Sequence, residues 1–288
     1  MKNNKSTLVY IVAALTTLAI LLQAVIFPLT TRAASGYSYY RSVTINSAMV
    51  DATLTDFPIA VAFTNASNKT VANGGNIQNT TTGGASGSLT VPADLLFCND
   101  VACTVAYDYE IETYSATTGI LVAWVRIPSL SDSVDTVIYM HYGNSGQTTN
   151  QEDIAGTWVN YELVYHFNSG AAYDSSANQN DGTDNASLGL GSGILGDAAG
   201  FDTDDYYSTP EDSSLDFGSI TDFTIETTYK IDNDGGAILG YGDRDNNKGI
   251  TCYIHSSVQC LLDDDTDQVS TEYATDTTDN TWRHFTDE

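Results

Sequence analysis

Basic residues are scarce in this sequence. Its 288 residues include 10 Lys and Arg against 37 Asp and Glu, which gives a formal net charge of -27. Nucleic-acid affinity rests largely on basic side chains that neutralise phosphates, so this balance argues against DNA or RNA as a partner. Disorder is also disfavoured, because apolar residues make up 42% and aromatic residues 10% of the chain. We therefore expect a folded, acidic protein.

The sequence also lacks the common catalytic and metal-binding patterns. It contains no Cys-x-x-Cys pair, and the acidic stretches at 232–235 and 263–267 lack the glycine and glutamate of an EF-hand. No Ser or Cys stands in a nucleophile elbow, and the four histidines are scattered among apolar strand residues: His141, His166, His255 and His284. We therefore predict no catalytic residue, and we interpret both acidic stretches as solvated loops.

The first 34 residues are typical of an export signal. Lys2 and Lys5 precede an almost wholly apolar segment, Leu8–Leu29, and small residues allow cleavage after Ala33 or Ala34. The segment is also long enough for an uncleaved signal anchor, which would tether the protein to the membrane. Both interpretations place the rest of the chain outside the cytoplasm, as a secreted or cell-surface protein.

Export decides how the four cysteines are interpreted, because an oxidising compartment favours disulfides. The intervals between Cys98 and Cys103 and between Cys252 and Cys260 each fit two strands joined by a short turn. We predict these two local bridges. A zinc site is the alternative, although no His lies near Cys98 or Cys103 in the sequence.

Past the signal, short runs rich in Val, Ile, Tyr, Phe and Thr alternate with Gly, Asn, Asp and Ser clusters, and helical periodicity is rare. The pattern predicts an all-β protein with two tandem β-sandwich, jelly-roll-like domains after the signal helix. We place the domains at 36–145 and 158–288, with a polar linker at 146–157. The glycine-rich segment 73–88 is predicted to be a flexible loop with too few apolar groups to pack.

The two halves differ in charge. From Ser35 to Asn150 there are nine acids and three bases, a net charge of -6, whereas from Gln151 to Glu288 there are twenty-eight acids and four bases, a net charge of -24. The remaining three bases flank the export signal, so a cleaved protein would be still more acidic. A charge of this size on one domain suggests cation binding or a salty medium.

Several short motifs follow one another in the first half: Tyr40-Arg41, Thr55-Asp56-Phe57-Pro58, Asp94 with Phe97, Tyr109-Glu110-Ile111-Glu112, Trp124-Val125 with Ile127-Pro128, and Tyr142-Gly143-Asn144. Over about residues 36–150 this order resembles the DUF2341 family, a prokaryotic extracellular domain of unknown function. The resemblance departs at Cys98–Cys103, where an Asp- and Gly-rich turn is more usual in the family. A disulfide in place of that turn would stabilise it.

The second half carries another ordered set: Val164-Tyr165-His166-Phe167, the segment 174–183, Asp222-Phe223-Thr224-Ile225-Glu226, and Trp282-Arg283-His284-Phe285. These motifs resemble a laminin-G-like, concanavalin A-like jelly roll. The resemblance implies recognition of a glycan or an extracellular protein at loops on one rim of the sandwich. It also implies that the jelly roll is incomplete at Glu288, since strands follow the Trp-Arg-His motif in the family.

Two sets of residues are candidates for binding. Short polar side chains with oxygen ligands suited to Ca2+ recur in one loop of the second half, namely Asp174, Asn178, Asn180 and Asp181. The resemblance supports calcium there, and a turn whose side chains cap their own backbone is the alternative. Aromatic side chains that could stack on a sugar are Trp158, Tyr206 and Tyr207. Beyond calcium we predict no cofactor.

The strongest enzyme signal is the pair Glu110 and Glu112. Two residues apart on a strand, they point the same way, as the paired carboxylates of a glycosidase must. An exposed strand face is the alternative, and the pair belongs to the resemblance with a family of no known activity. We therefore predict an exported, non-catalytic recognition or adhesion protein. The alternatives are an extracellular glycoside hydrolase or its accessory carbohydrate-binding part, and a structural component of the cell envelope.

Overall fold

The computed structural model of the chain describes Ala34 and the ranges 36–168, 172–185, 189–202, 205–215, 223–231, 236–243, 248–254, 258–264, 268–273 and 280–287. The predicted export signal, Ala34 apart, lies outside these residues. No helix within the described ranges is long and apolar enough to span a membrane. The chain divides into a first unit, Met1–Gly84 with Leu89–Asp153, and a second unit, Ala85–Ser88 with Ile154–Glu288.

The first unit is built from antiparallel strands: β1 (Tyr39–Ile45), β2 (Leu54–Thr64), β3 (Thr80–Gly83), β4 (Leu89–Pro92), β5 (Leu95–Cys98), β6 (Ala106–Tyr107), β7 (Tyr109–Tyr114), β8 (Ile120–Leu130) and β9 (Thr136–Tyr142). One sheet has the order β1-β9-β5-β6, a second has the order β2-β8-β7, and β3 pairs with β4. Single turns of 3-10 helix occur at Ser47–Met49, Ala66–Asn68 and Val71–Asn73.

The two larger sheets of the first unit share one apolar core. Alternate residues of β8 face that core, so Ala123 and Val125 are fully buried there. From the same sheet, Tyr109 meets Phe97 of the other sheet edge to face, with ring centroids 5.2 Å apart. The Tyr109 hydroxyl also donates a 2.8 Å hydrogen bond to the carbonyl oxygen of Leu95. The first unit is therefore a β-sandwich.

The segment 73–88 differs from its prediction as a flexible loop. Strand β3 lies within it, and Ile77 is only 1% exposed in the core. The backbone amides of Gln78 and Asn79 donate to the carboxylate of Asp94. The segment is thus ordered by a buried acceptor that lies outside it in the sequence, rather than by many apolar side chains of its own.

The second unit is also all-β in its described residues, apart from a short helix α1 (Ile154–Thr157) and a 3-10 turn at Ser213–Leu215. Its strands are β10 (Thr183–Asp184), β11 (Gly189–Ser192), β12 (Asp197–Gly200), β13 (Tyr207–Ser208), β14 (Ile225–Tyr229), β15 (Gly236–Asp243), β16 (Lys248–Ile254), β17 (Val258–Asp264), β18 (Gln268–Tyr273) and β19 (Arg283–Asp287). The sheets are β15-β16-β17-β18 and the pairs β10-β13, β11-β12 and β14-β19.

Both predicted cysteine pairs are confirmed. Cys98 and Cys103 are joined with their Cα atoms 5.0 Å apart, and Cys252 and Cys260 with theirs 4.1 Å apart. The second pair bridges directly opposed positions of β16 and β17, and lies in the core of the second unit together with Phe285. Disulfides of this kind are typical of an oxidising, extracytoplasmic compartment.

Candidate functional site

Four aromatic rings of the second unit form the candidate site, here called the aromatic cluster: Tyr165, Phe167, Phe201 and Tyr207. Phe167 and Tyr207 are stacked, with centroids 5.3 Å apart and an interplanar angle of 25°. Phe201 meets both rings edge on, at 6.2 and 5.8 Å, and still has 53% of its surface exposed. An exposed ring supported by other rings offers an apolar face on which a ligand ring can stack.

The chain reaches this arrangement at a local cost in backbone energy. Phe167 has φ of +56°, in the left-handed region that bulky residues rarely occupy. Such a conformation costs roughly 1–3 kcal/mol and is found preferentially at functional sites. The strained residue is the one whose ring contacts Tyr165, Phe201 and Tyr207. The left-handed backbone conformation of Phe167 therefore occurs at the residue whose ring contacts the other three rings of the cluster.

Acidic residues border the aromatic cluster. Asp184 lies opposite Tyr207 in the β10-β13 pair, and burial together with the charge of Asp184 raises the pKa of the Tyr207 hydroxyl. Next to Phe201 in the sequence, the backbone N–H of Asp202 donates to the Asp205 carboxylate at 2.9 Å. Carboxylates accept hydrogen bonds from ligand hydroxyl groups and repel anionic ligands. The surroundings thus suit a neutral, hydroxyl-rich ligand.

The predicted calcium loop adjoins the aromatic cluster, because the Tyr165 hydroxyl donates to the carbonyl oxygen of Asn180. Within the loop, the Asp174 carboxylate is buried and accepts hydrogen bonds from four donors: the backbone N–H groups of Val164, Ser176 and Asn180, and the Ser176 hydroxyl. Four donors match the acceptor capacity of one carboxylate. This geometry is that of the self-capped turn given above as the alternative to calcium.

The other three predicted calcium ligands also have partners within the second unit. Asp181 accepts from the backbone N–H of Asp174 at 2.9 Å, Asn178 donates to Glu162, and Asn180 donates to Ser214. In the described part of the chain, no group of three or more His, Cys, Asp or Glu side chains is placed to hold a metal ion. Calcium at this loop stays a prediction.

In the first unit, the predicted carboxylate pair is buried rather than exposed. Glu110 is 0% and Glu112 is 5% exposed, so the interpretation as an exposed strand face is wrong. Glu112 falls at a shift in the β7-β8 register and accepts a 3.0 Å hydrogen bond from Trp124 Nε1. Trp124 is also the residue opposite Glu110. Burial and this bond do not leave the pair open to a substrate in the way a glycosidase requires.

Another buried carboxylate of the first unit, that of Asp94, accepts hydrogen bonds from the backbone of several segments. Asp94 is 0% exposed, and besides Gln78 and Asn79 its carboxylate accepts from the backbone N–H groups of Gly143 and Asn144, each at 3.0 Å. Burial raises the pKa of Asp94, and the hydrogen bonds oppose that rise. The Tyr142-Gly143-Asn144 motif is therefore held by the acid that precedes it by about fifty residues.

Comparison with known families agrees with these motifs: residues 92–179 match the family described as Domain of unknown function (DUF2341). This stretch is similar to that family. The match starts later than the predicted resemblance at 36–150 and runs beyond its end, into the loop of Asp174. No curated protein and no solved structure matches the chain. The comparisons do not support the laminin-G-like resemblance, which rests on the residues alone.

The three aromatic residues predicted to bind a ligand differ in how far they are exposed. Trp158, within the DUF2341 match, is only 4% exposed and packs against Tyr161 and His166, so we correct its prediction as a stacking surface. Tyr206 is 55% exposed. Tyr207 is the predicted residue that lies in the aromatic cluster. Burial decides which of the three rings can meet a ligand.

Sequence reasoning missed three members of the cluster. Tyr165 and Phe167 lie within the DUF2341 match, whereas Phe201 lies beyond it. Phe201 did carry a signal, because it is a large apolar residue at the head of the acidic stretch Asp202-Thr203-Asp204-Asp205. A lone Phe beside such a stretch has no apolar periodicity that would place it in a core, so the sequence favours its exposure. Binding is suggested only by the other rings that the structure brings to it.

Proposed function

We propose that this protein is an exported, non-catalytic recognition protein that binds a glycan through the aromatic cluster of its second unit. The observation that carries the proposal is Phe201, half exposed on a support of Phe167 and Tyr207. Sugars stack their C–H faces on aromatic rings and direct their hydroxyls to nearby acceptors, and Asp184 is placed to accept. The apolar signal segment and the two disulfides support export.

The laminin-G-like resemblance of the second half supports the same class of function, since it implies glycan or protein recognition at rim loops. A glycan is favoured over an acidic protein ligand, because a net charge of -24 in this half repels other acidic surfaces. The burial of Glu110 and Glu112 supports a role in folding for that pair over glycoside hydrolysis.

Glycan-array screening followed by calorimetric titration tests the proposal. Phe201→Ala is expected to weaken binding of the array hit by about tenfold, the value of one aromatic contact of roughly 1–1.5 kcal/mol. Leu190→Ala is the matched control, because Leu190 is an apolar residue of the same unit with a similar exposed fraction of 56%. Equal affinity of the two variants, or no glycan binding at all, would contradict the proposal.

Two further measurements separate the alternative functions. Glycan hydrolysis that disappears in Glu110→Gln would establish the glycosidase instead. Self-association in analytical ultracentrifugation, with no glycan bound on the array, would favour the structural envelope component.

Calcium is also proposed at the loop that contains Asp174, Asn178, Asn180 and Asp181, where it would displace hydrogen bonds that the Asp174 carboxylate accepts. A ligand that binds only the native state raises the thermal midpoint, so millimolar Ca2+ is expected to raise the midpoint of the second unit. Mg2+ at the same concentration controls for screening of the acidic surface. No shift beyond that seen with Mg2+ would reject calcium and would support the self-capped turn.

A further inference from the structure

Strands β1 and β9 of the first unit each turn alternate side chains away from the core. Six of these residues, here called the outer face, form three cross-strand pairs: Tyr40 with His141, Ser42 with Tyr139, and Thr44 with Val137. Alternation separates them from Ile138 and Met140, which are fully buried in the core. Tyr40 is 44% and Val137 38% exposed. The outer face is therefore open to solvent along β1.

Aromatic rings meet at one end of the outer face. The Tyr40 ring centroid lies 6.1 Å from that of Tyr139 and 5.9 Å from that of His141, and the Tyr37 ring lies 6.3 Å from His141. His141 is fully buried, so the exposed Tyr40 ring rests against a buried one. Tyrosine supplies a rigid, amphipathic contact area that loses little conformational entropy on binding. The rings thus offer a prepared surface on which sugar rings can stack.

The outer face has hydroxyl groups but no formal charge at neutral pH. Hydroxyls, which both donate and accept hydrogen bonds, are carried by Tyr40, Ser42, Thr44 and Tyr139. Burial lowers the pKa of His141, so its imidazole is neutral at pH 7. Arg41, which follows Tyr40 in the sequence, belongs to the opposite face, where its guanidinium lies 4.9 Å from the centroid of the Phe63 ring. The surface therefore suits a neutral, hydroxyl-rich ligand.

The size of the outer face favours a narrow, extended ligand over a protein. On the β5 side, Cys98 lies opposite Tyr139 and is buried with its disulfide to Cys103, so the turn between the cysteines limits the open area. Seven residues of β1 make the face about 24 Å long, and two strands make it about 10 Å wide. The resulting area of about 240 Å2 is well below the roughly 800 Å2 that each partner buries in a standard protein interface.

We propose that the outer face of the first unit binds a neutral, extended glycan chain with β-linked sugars. Its sugar rings would stack on Tyr40 and Tyr139, and its hydroxyls would form hydrogen bonds with Ser42 and Thr44. This site lies in a different unit from the aromatic cluster and does not depend on glycan binding there.

Titration of the full chain with cellohexaose and chitohexaose, followed by calorimetry and by amide NMR shifts at Ser42, Thr44 and Val137, tests the proposal. At least one of the two hexamers is expected to bind and to shift these amides. It should bind about fivefold more tightly than its disaccharide, because a longer chain makes further hydrogen bonds along β1. The anionic hexamer of galacturonic acid should bind less tightly, because no residue of the outer face is a cation and the chain carries a net charge of -27.

Tyr40→Ala is the informative variant, and Tyr39→Ala is its matched control. The two tyrosines are neighbours on β1 and are 44% and 42% exposed, but alternation puts Tyr39 on the opposite face, where it stacks on Tyr142. Tyr40→Ala is expected to lower the affinity for the bound hexamer about tenfold, whereas Tyr39→Ala should leave it unchanged. Tyr173→Ala, which removes a 41% exposed tyrosine of the second unit, is the control to use if Tyr39→Ala lowers the thermal midpoint.

Phe201→Ala separates this site from the aromatic cluster. The shifts at Ser42 and Thr44 should be unchanged in that variant, so failure of the outer face and failure of the cluster are distinguishable. Four results would overturn the proposal: no shift of these amides with either neutral hexamer, tighter binding of the galacturonic acid hexamer, equal losses in Tyr40→Ala and Tyr173→Ala, and self-association of the chain that Tyr40→Ala abolishes.

Discussion

Both units are antiparallel β-structures, yet the interactions that stabilise them differ. In the first unit, fifteen apolar residues form one buried core, against five in the second among the residues that the structure describes. The first half carries a net charge of -6 and the second -24. Electrostatic self-repulsion therefore acts mainly on the second unit.

The first unit buries carboxyl groups. Asp94 and Glu110 are both 0% exposed, and the Asp94 carboxylate replaces turn residues as the acceptor for backbone amides from two distant segments. The second unit uses local devices instead, with the Cys252–Cys260 bridge inside its core and Asp174 capping its own loop. The Asp94 carboxylate thus joins distant segments of the first unit, whereas the Asp174 carboxylate and the Cys252–Cys260 bridge join residues of the second unit that are close in sequence.

The largest predicted effect is that of Asp94→Ala on the first unit. The change leaves four backbone N–H donors, one buried and three partly buried, without their acceptor. Each unsatisfied buried donor costs about 1–3 kcal/mol, so we expect a loss of about 3 kcal/mol. Denaturant unfolding measures the loss, and hydrogen exchange of peptides that contain Gln78 and Gly143 should localise it. Asp51→Ala, which removes an exposed acid of the same unit, is the control. If the two variants unfold alike, long-range polar contacts do not distinguish the first unit.

The second prediction concerns the two disulfides, which are removed one at a time to compare the two units. Loop-closure entropy alone predicts a loss of about 2.5 kcal/mol for Cys252→Ala with Cys260→Ala, and about 2 kcal/mol for Cys98→Ala with Cys103→Ala. Replacing Cys252 and Cys260 also leaves a cavity in the core of the second unit, since both residues are at most 2% exposed. We therefore expect amide exchange throughout β16 and β17 to accelerate, whereas the other double variant changes exchange only near residues 98–103. If amide exchange accelerates over similar lengths of chain in both double variants, the proposed difference between the two disulfides is wrong.

Much of the fold follows from local pattern. The run Ile120–Ile127 is rich in β-branched and aromatic residues, which is typical of a strand, and the structure has β8 there with every second side chain in the core. Spacing predicted both disulfides because each pair closes a short turn between strands. Such features depend on residues close in sequence, where period and turn chemistry are informative.

The features that the sequence did not predict depend on contacts between distant segments. Alternation put Glu110 and Glu112 on one face of a strand but carried no information on what covers that face. The donors to Asp94 come from residues 15 to 50 positions away. Likewise, Phe167 and Tyr207 stack although they are forty positions apart in a part of the sequence that has no periodic pattern. These contacts are specified by topology, which a local pattern cannot supply.

The smallest predicted effect concerns Glu152, whose carboxylate extends the polar network of the first unit. It accepts from the backbone N–H groups of Ile111 and Gly84, so it caps the edge strand β7. Burial raises its pKa above the usual 4.5, Glu110 adds to the rise, and the hydrogen bonds from Gly84 and Ile111 oppose it. Because the folded-state pKa is the higher one, the ionised carboxylate is less favourable in the folded chain than in the unfolded chain.

The contribution of Glu152 to the free energy of unfolding is therefore greatest below pH 4.5, and falls as the pH rises through the folded-state pKa. Glu152→Gln removes this titration, so the stability of the wild type relative to the variant should decrease as the pH rises above 4.5 and through the raised folded-state pKa. Denaturant unfolding at several pH values measures the difference, and Asp51→Asn controls for the loss of one exposed charge. A wild-type advantage that grows with pH would mean that the amide bonds outweigh burial. The hydrogen bonds from Gly84 and Ile111 would then stabilise the ionised carboxylate, and the stability of the first unit would depend on buried charge.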